Sequence, residues 1–388
     1  MKVSEMADGA AGELLRPRVE TVKLYLATDR DNPHLVADLL GLLLASGETQ
    51  PALEEAERVL ALHPRHQALR AQLSSCYIAQ GGWDRARALL AEVVACGDAQ
   101  PALVYNLAYI DYAAQRYSEA AALLRASAAT LEQIPPARRL LARCLHHGGD
   151  LDGAIALLRT HLAAHAGDCE AMGLLGLVFY DIGQEEQALQ WAMQAITGAP
   201  RDLAALVALG SLALAQEQPA RATDMFSRAL EIKADSGRAW LGLALADLSQ
   251  GKLEAARRGL ELAEAYMPSH VGTRLIHGWC RLMQNELPAA AACFDSALRL
   301  DGAFSEAHGS LAIAQVLLEQ KVAGRASVER ALRLDPLCLS ARYAQALLEG
   351  RIRDMQSFQA QATQLLQLAR HKRHAALAVS TQPEQEQP

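Results

Sequence analysis

A chain that repeats itself every 34 residues cannot bury the apolar face of one unit within that unit alone, so it must stack neighbour on neighbour. This 388-residue chain has that period. Pro64, Pro200, Pro268 and Pro336 stand whole multiples of 34 apart, each closing a helical pattern. Nine contiguous units follow without insertion: 33–66, 67–100, 101–134, 135–168, 169–202, 203–236, 237–270, 271–304 and 305–338.

Aligned by unit, the twentieth place holds Ala52, Ala86, Ala120, Ala154, Ala188, Ala222, Ala256, Ala290 and Gly324. The eighth is nearly always small: Ser74, Ala108, Ala142, Gly176, Gly210, Ala244, Gly278 and Ala312, with Leu40 as the exception. Two small columns twelve residues apart, each inside an i, i+3, i+4, i+7 apolar pattern, are what two antiparallel helices need to approach closely. Large apolar residues fill the twenty-fourth place (Leu90, Leu124, Leu158, Phe226, Leu260, Phe294), and Leu recurs at the seventh. Each unit therefore reads as a helical hairpin. Composition agrees: 51% of residues are hydrophobic but only 5% aromatic, which favours helix over strand.

Trp240, Leu243, Ala244, Ala256, Leu260, Ala263 and Pro268 in one unit, and Leu206, Leu209, Gly210, Ala222, Phe226 and Ala229 in another, resemble the tetratricopeptide repeat family. The resemblance covers 33–338 and implies an all-α fold, a right-handed α-solenoid of antiparallel helical hairpins making about one superhelical turn. Only four of the nine units keep the terminal proline. Outside the repeats we expect a disordered N-terminus over 1–13, a helix and linker over 14–32, capping helices over 339–374 with a polar outer face, and a disordered tail over 375–388.

Function is narrowed by what is missing. The sequence holds no phosphate-binding loop, dinucleotide fingerprint, nucleophile elbow or zinc-protease motif, so we expect no enzyme, no cofactor and no metal. His161, His165 and Cys169 have the spacing of ligands on one helical face, but the turn Ala166–Gly167–Asp168 interrupts the row. His146 and His147 fall where imidazoles complement the carbonyls ending a helix. A net charge of −7 opposes nucleic-acid binding, and the one basic cluster, Arg370 to His374, is read as closing a helix. The N-terminus lacks the pattern of an export signal, no apolar run reaches membrane-spanning length, and seven scattered cysteines without a CxxC pair read as reduced and buried. Together these suggest a cytoplasmic protein without membrane insertion and leave a homo-oligomer open.

The resemblance implies that the second, fifth, ninth and twelfth places of each first helix line a concave groove. These are Ala102, Tyr105, Tyr109 and Tyr112, then Arg139, Arg143 and His146, then Leu177 and Tyr180. Further on they are Val207, Ser211 and Leu214, then Leu241, Leu245 and Leu248, then Leu275, Trp279 and Leu282, then Ile313 and Val316. Some family members grip acidic tails with paired Asn and Lys, but Asn106 has no Lys beside it. The expected function is a non-catalytic scaffold or adaptor holding a peptide or amphipathic helix of a partner protein. Tyr105, Tyr109, Tyr112, Tyr180 and Trp279 would serve as anchors, Leu241, Leu245 and Leu275 as an apolar floor, and Arg139 and Arg143 as a carboxylate clasp. Two alternatives remain at this point: a secretion-type chaperone covering an apolar client segment, and a recruiting subunit of a separately encoded enzyme. The apolar rows are filled either by a partner or by the protein itself, through tight winding or its own terminal helix.

If the register is right, Ala222→Leu overpacks one hairpin and costs about 1–3 kcal/mol while neighbouring hairpins stay helical. Urea unfolding followed by circular dichroism reads this, and a neutral substitution contradicts the register.

Overall fold

A computed structural model describes residues 2–46, 50–95 and 100–352, which form 21 helices and no strand. Cys96, the expected capping segment beyond 352 with its basic cluster, and the tail lie outside the described residues. The chain divides at Ile182/Gly183 into two compact units. The first contains α1 (Lys2–Thr28), α2 (Pro33–Ser46), α3 (Gln50–Leu62), α4 (Gln67–Ala79), α5 (Trp83–Ala95), α6 (Pro101–Ala113), α7 (Tyr117–Ala126), α8 (Ala128–Gln133), α9 (Pro135–His147), α10 (Leu151–Ala164) and α11 (Cys169–Asp181). The second contains α12 (Glu185–Gly198), α13 (Leu203–Ala215), α14 (Pro219–Ile232), α15 (Gly237–Ser249), α16 (Leu253–Tyr266), α17 (Val271–Met283), α18 (Leu287–Leu300), α19 (Ser305–Leu317), α20 (Lys321–Leu334) and α21 (Leu339–Leu348).

First helices begin at 33, 67, 101, 135, 169, 203, 237, 271, 305 and 339, one on the opening residue of every 34-residue unit and a tenth beyond the ninth. The punctuation between helices is as regular. From Gly81 to Glu319 the fifteenth residue of each described unit has positive φ, and in all but the 169–202 unit the next amide bonds back to the carbonyl five residues earlier, as Gly82 N does to Tyr77 O and Glu286 N to Arg281 O. This is a Schellman stop. Glycine meets the left-handed requirement at 81, 149, 183 and 251, whereas Gln115, Glu217, Asn285 and Glu319 adopt it at a cost of about 1–2 kcal/mol each. In α21 the same stop comes three places early, at Gly350.

Within each hairpin the small columns meet. Ala86, Ala120, Ala154, Ala222, Ala256 and Ala290 are wholly buried, as are Ser74, Ala108, Ala142, Ala244 and Ala312 at the eighth place. In most units the eighth and twenty-fourth places complement one another in volume, the 169–202 unit with Gly176 and Ala192 being the exception. Fully buried Leu90, Leu124 and Leu158 occur in units whose eighth place is Ser74, Ala108 or Ala142, and Leu260 packs with Ala244, while the larger Phe226 and Phe294 stand over Gly210 and Gly278. A Cβ on Gly210 would come to 2.8 Å from the Phe226 ring, and one on Gly278 to 2.3 Å from the Phe294 ring. Phe226 also presses on Gly242 of α15 and so joins two repeats. The first unit reverses the pair with Leu40 and Ala56, both fully buried.

Stacking follows one pattern in both units. Each second helix packs on the next first helix, as α5 on α6 and α16 on α17. First helices also meet, α2 with α4, α4 with α6 and α6 with α9 in one unit, α13 with α15 and α17 with α19 in the other. Second helices make no comparable contact with one another among the described residues. The first helices therefore form the inner side of each stack.

Three local features depart from the sequence reading. Disorder was expected over 1–13, but α1 runs unbroken from Lys2: Met6, Ala7, Ala10, Ala11, Glu13 and Leu14 are strong helix formers and outweigh Gly9 and Gly12. Its later part packs on α2, with Val19 buried. The second helix of unit 101–134 breaks into α7 and α8, because Ser127 Oγ caps Thr130 N at 3.3 Å and buried Thr130 donates to Pro101 O. His277 replaces the leucine usual at the seventh place. Its Nδ1 lies 2.8 Å from Glu264 Oε1, and its Nε2 accepts from Arg281 Nε at 3.1 Å, so the buried ring keeps both nitrogens bonded.

Because Gly278 and Phe294 are matched, Gly278→Ala alone should cost about 1–3 kcal/mol. Adding Phe294→Leu recreates the Ala/Leu pairing of the 237–270 unit and should recover much of that loss. A double-mutant cycle from urea unfolding measures the coupling, and simple additivity would contradict the pairing.

Candidate functional site

On the inner side of the first unit, α2 and α4 present small residues, Ala37, Gly41, Ala71 and Ser75, at the fifth and ninth places. A cavity of about 380 Å³ opens there, bounded by Arg18, Thr21 and Val22 of α1 and by Asp38, Leu42 and Gln72. One helix further on, α6 carries Tyr105, Tyr109 and Tyr112. Tyr105 and Tyr109 stack with ring centroids 6.5 Å apart, and Trp83 from the start of α5 lies 6.3 Å from Tyr109. Tyr109 is 39% exposed and Trp83 36%. Tyr112 is half-buried, its hydroxyl 3.5 Å from His147 Nε2, and the His147 ring stacks on Tyr117 at 4.5 Å. Burial pushes the phenols of Tyr105 and Tyr112 above their ordinary value. They are neutral hydrogen-bonding groups near neutrality.

Beside the tyrosines, α9 supplies the two expected arginines. Arg139 is already engaged, 2.5 Å from Asp168 Oδ2 and 3.3 Å from Glu170. Arg143 reaches Glu170 only at 3.7 Å and keeps part of its guanidinium in solvent. Asp168 is the hub of this corner: it caps α11 through Ala171 N at 3.0 Å and accepts from His161 Nε2 at 2.8 Å. Its burial alone would raise its pKa, but the bonds from His161, the Ala171 amide and Arg139 hold it below the usual carboxylate range. This explains the histidine spacing noted in the sequence. His161 turns to Asp168, α10 ends at Ala164, and Cys169 Sγ lies 3.6 Å from Gly167 O. His146 likewise turns to a carboxylate, its Nε2 2.6 Å from Asp181 Oδ2. Tyr180 sits half-buried in the last turn of α11.

In the second unit the expected leucine and tryptophan rows are half-buried by their neighbours. Leu241 and Leu248 pack against Leu260 and Cys280, with Leu245 half-buried between them on α15. Leu275, Trp279 and Leu282 pack against Phe294 and Leu311, the Trp279 ring edge-on to Phe294 at 6.2 Å. Val207 and Ile313, at equivalent places, are 3% and 1% exposed. These side chains glue one first helix to the next.

The sequence reading missed Trp83, because it opens a second helix outside the groove columns and reaches Tyr109 only through the hairpin turn. It also missed the polar corner at Asp168, although Asp at the last place of a unit was a readable cap. The thiols of Cys76, Cys144 and Cys293 are pushed up to about 11 by burial, so none of the three is a ready nucleophile near neutrality. No described helix is long and apolar enough to cross a membrane.

The tetratricopeptide repeat model matches residues 43–108, 111–177 and 213–270. The Protein CTR9 homolog of Arabidopsis thaliana is 31% identical over 90 residues, which is 23% of this chain and 8% of that protein. This chain therefore spans a small part of that relative's length. Among solved structures, the human IFIT1 dimer with m7Gppp-AAAA superposes with a TM-score of 0.57 at 13% identity, over 90% of this chain and 91% of that one. The same protein with PPP-AAAA gives 0.56 at 14%, over the same shares. At such identities the likeness is one of fold. The 34-residue hairpins, the paired small columns and the matching segments agree, and this chain is a member of the tetratricopeptide repeat family.

Proposed function

We propose that this chain is a non-catalytic adaptor that holds a segment of a partner protein on the inner face of its first unit, with Tyr105, Tyr109 and Trp83 as anchors. Tetratricopeptide repeats are protein-interaction scaffolds, so the question is which surface is used. The observation that carries the reading is the half-exposed pair Tyr109 and Trp83 beside a floor of small residues. Large rigid rings left in solvent at 36–39% gain much from a partner and lose little side-chain entropy on binding.

The chemistry of the ligand follows from the neighbours. An apolar or aromatic side chain fits against the tyrosines, while Arg143, loosely held by Glu170, offers an extended segment a partner for its carboxylate. The small residues of α2 and α4 let a backbone come close. Arg139 contributes less than its place suggests, being committed to Asp168 and Glu170. The client-covering chaperone has weaker support, since Leu241, Leu245, Leu275 and Trp279 make no open apolar trough. An enzyme-recruiting role would use the same tyrosine face. The six cysteines among the described residues are free and mostly buried, which suits a reducing compartment such as the cytoplasm, and net charge −7 disfavours nucleic acid as ligand.

Affinity capture from the native cell with the wild-type chain and with Tyr105→Ala/Tyr109→Ala, read by mass spectrometry, should show a protein lost only from the variant. Identical capture by both contradicts the site. Tyr109→Ala should change stability by less than about 0.5 kcal/mol, as befits an exposed residue. Trp279→Ala, which empties a packed position, should cost more than about 2 kcal/mol. Thermal unfolding separates them, and the reverse order would make Tyr109 a core residue.

A further inference from the structure

The residue before each first helix is its N-cap, and in two units it is histidine. His66 Nδ1 accepts the Leu69 amide at 3.1 Å at the start of α4. His270 Nδ1 accepts the Thr273 amide at 3.1 Å at the start of α17 and lies 2.7 Å from Thr273 Oγ1. Other units use Asp168, Asp202 and Ser236 at this place, caps that keep an acceptor throughout the physiological range. An imidazole accepts through Nδ1 only while neutral. We propose that His66 and His270 are acid-released latches on α4 and α17: a proton on Nδ1 removes the cap's acceptor and places a cation at the positive end of the helix.

The surroundings of both rings oppose a compensating charge. Facing His66 are His34 of α2, with the two Nε2 atoms 3.4 Å apart, and His63 at the end of α3. On α4 itself Arg70 is turned to Glu92 of α5, at 2.8 Å. Because Nδ1 accepts, the neutral His66 proton sits on Nε2 and is donated to His34. Facing His270 is Arg238 of α15, and on α17 Arg274 is turned to Ser296 and Pro268 O. No carboxylate is ion-paired with either imidazole among the described residues, in contrast to His146, His161 and His277, each within 2.8 Å of one.

Both latch histidines titrate below the ordinary 6.5, through burial first and then through His34 and His63 for one and Arg238 for the other. The sign follows: the folded chain binds these protons less readily than the unfolded one, so their contribution is complete above pH 6.5 and is lost as pH falls through the lower folded values. The two released helices carry inner-face side chains, Gln72 and Ser75 on α4 and Leu275 and Trp279 on α17.

The test compares the full-length wild type with His66→Asn/His270→Asn, Asn being a capping residue that does not titrate. The two should be similarly stable at pH 7.5. Between pH 7.5 and 5 the wild type should lose more of its folding equilibrium constant than the variant, by roughly two- to thirtyfold per cap. Equal losses overturn the proposal. Nitrogen-15 NMR of labelled histidine gives an independent reading: both rings should carry their proton on Nε2 at pH 7.5 and gain the second on acidification below 6.5. A proton on Nδ1 at pH 7.5 would also overturn it.

Discussion

The structure depends on how closely the two helices of a hairpin approach. With Ala or Gly at the twentieth place and, in most units, a small residue at the eighth, the backbones come near enough for one large side chain at the twenty-fourth to fill the remaining space, units 33–66 and 169–202 departing with Ala56 and Ala192 there. Where that side chain is Phe, the eighth place gives up its Cβ altogether, as Gly210 does for Phe226 and Gly278 for Phe294. Close packing of this kind tolerates neither a gap nor an extra methyl. It sets the tilt of each hairpin, and so which residues of the first helices face their neighbours and which are left to solvent.

That constraint explains why the inner face is not uniform. In the second unit the groove columns carry Leu, Val, Ile and Trp, and adjacent first helices bury them against one another. In the first unit the fifth and ninth places carry Ala, Gly and Ser on two successive helices and tyrosines on the next. Small side chains cannot bridge to the neighbouring helix, so a recess opens and the tyrosines keep a free edge. The same positions act as glue in one unit and as a recognition surface in the other.

Much of this was readable from the residues. The period set the start of each first helix to the residue, because a 34-residue repeat without insertions leaves no freedom in register. Burial at the second-helix columns followed from the same alignment. What the sequence concealed was chemical pairing between units. Nothing local shows that Arg139 is taken by Asp168 and Glu170, since the three are brought together only when α9 packs on α11. The openness of Trp279 was equally hidden, because Phe294 and Leu311 that cover it come from the two following helices. The break at Ser127 was visible in principle, as a capping residue followed three places later by a buried Thr, but the repeat pattern masked it.

The central claim is that partner recognition belongs to the tyrosine-bearing inner face of the first unit. It is tested most directly by placing a photo-crosslinking phenylalanine analogue at Tyr109 in one chain and at Met193, an exposed second-helix residue, in another. Irradiation in the native cell should join a partner protein to the chain labelled at Tyr109 and not to the one labelled at Met193. A partner trapped only at Met193 would place recognition on a second helix and contradict the account.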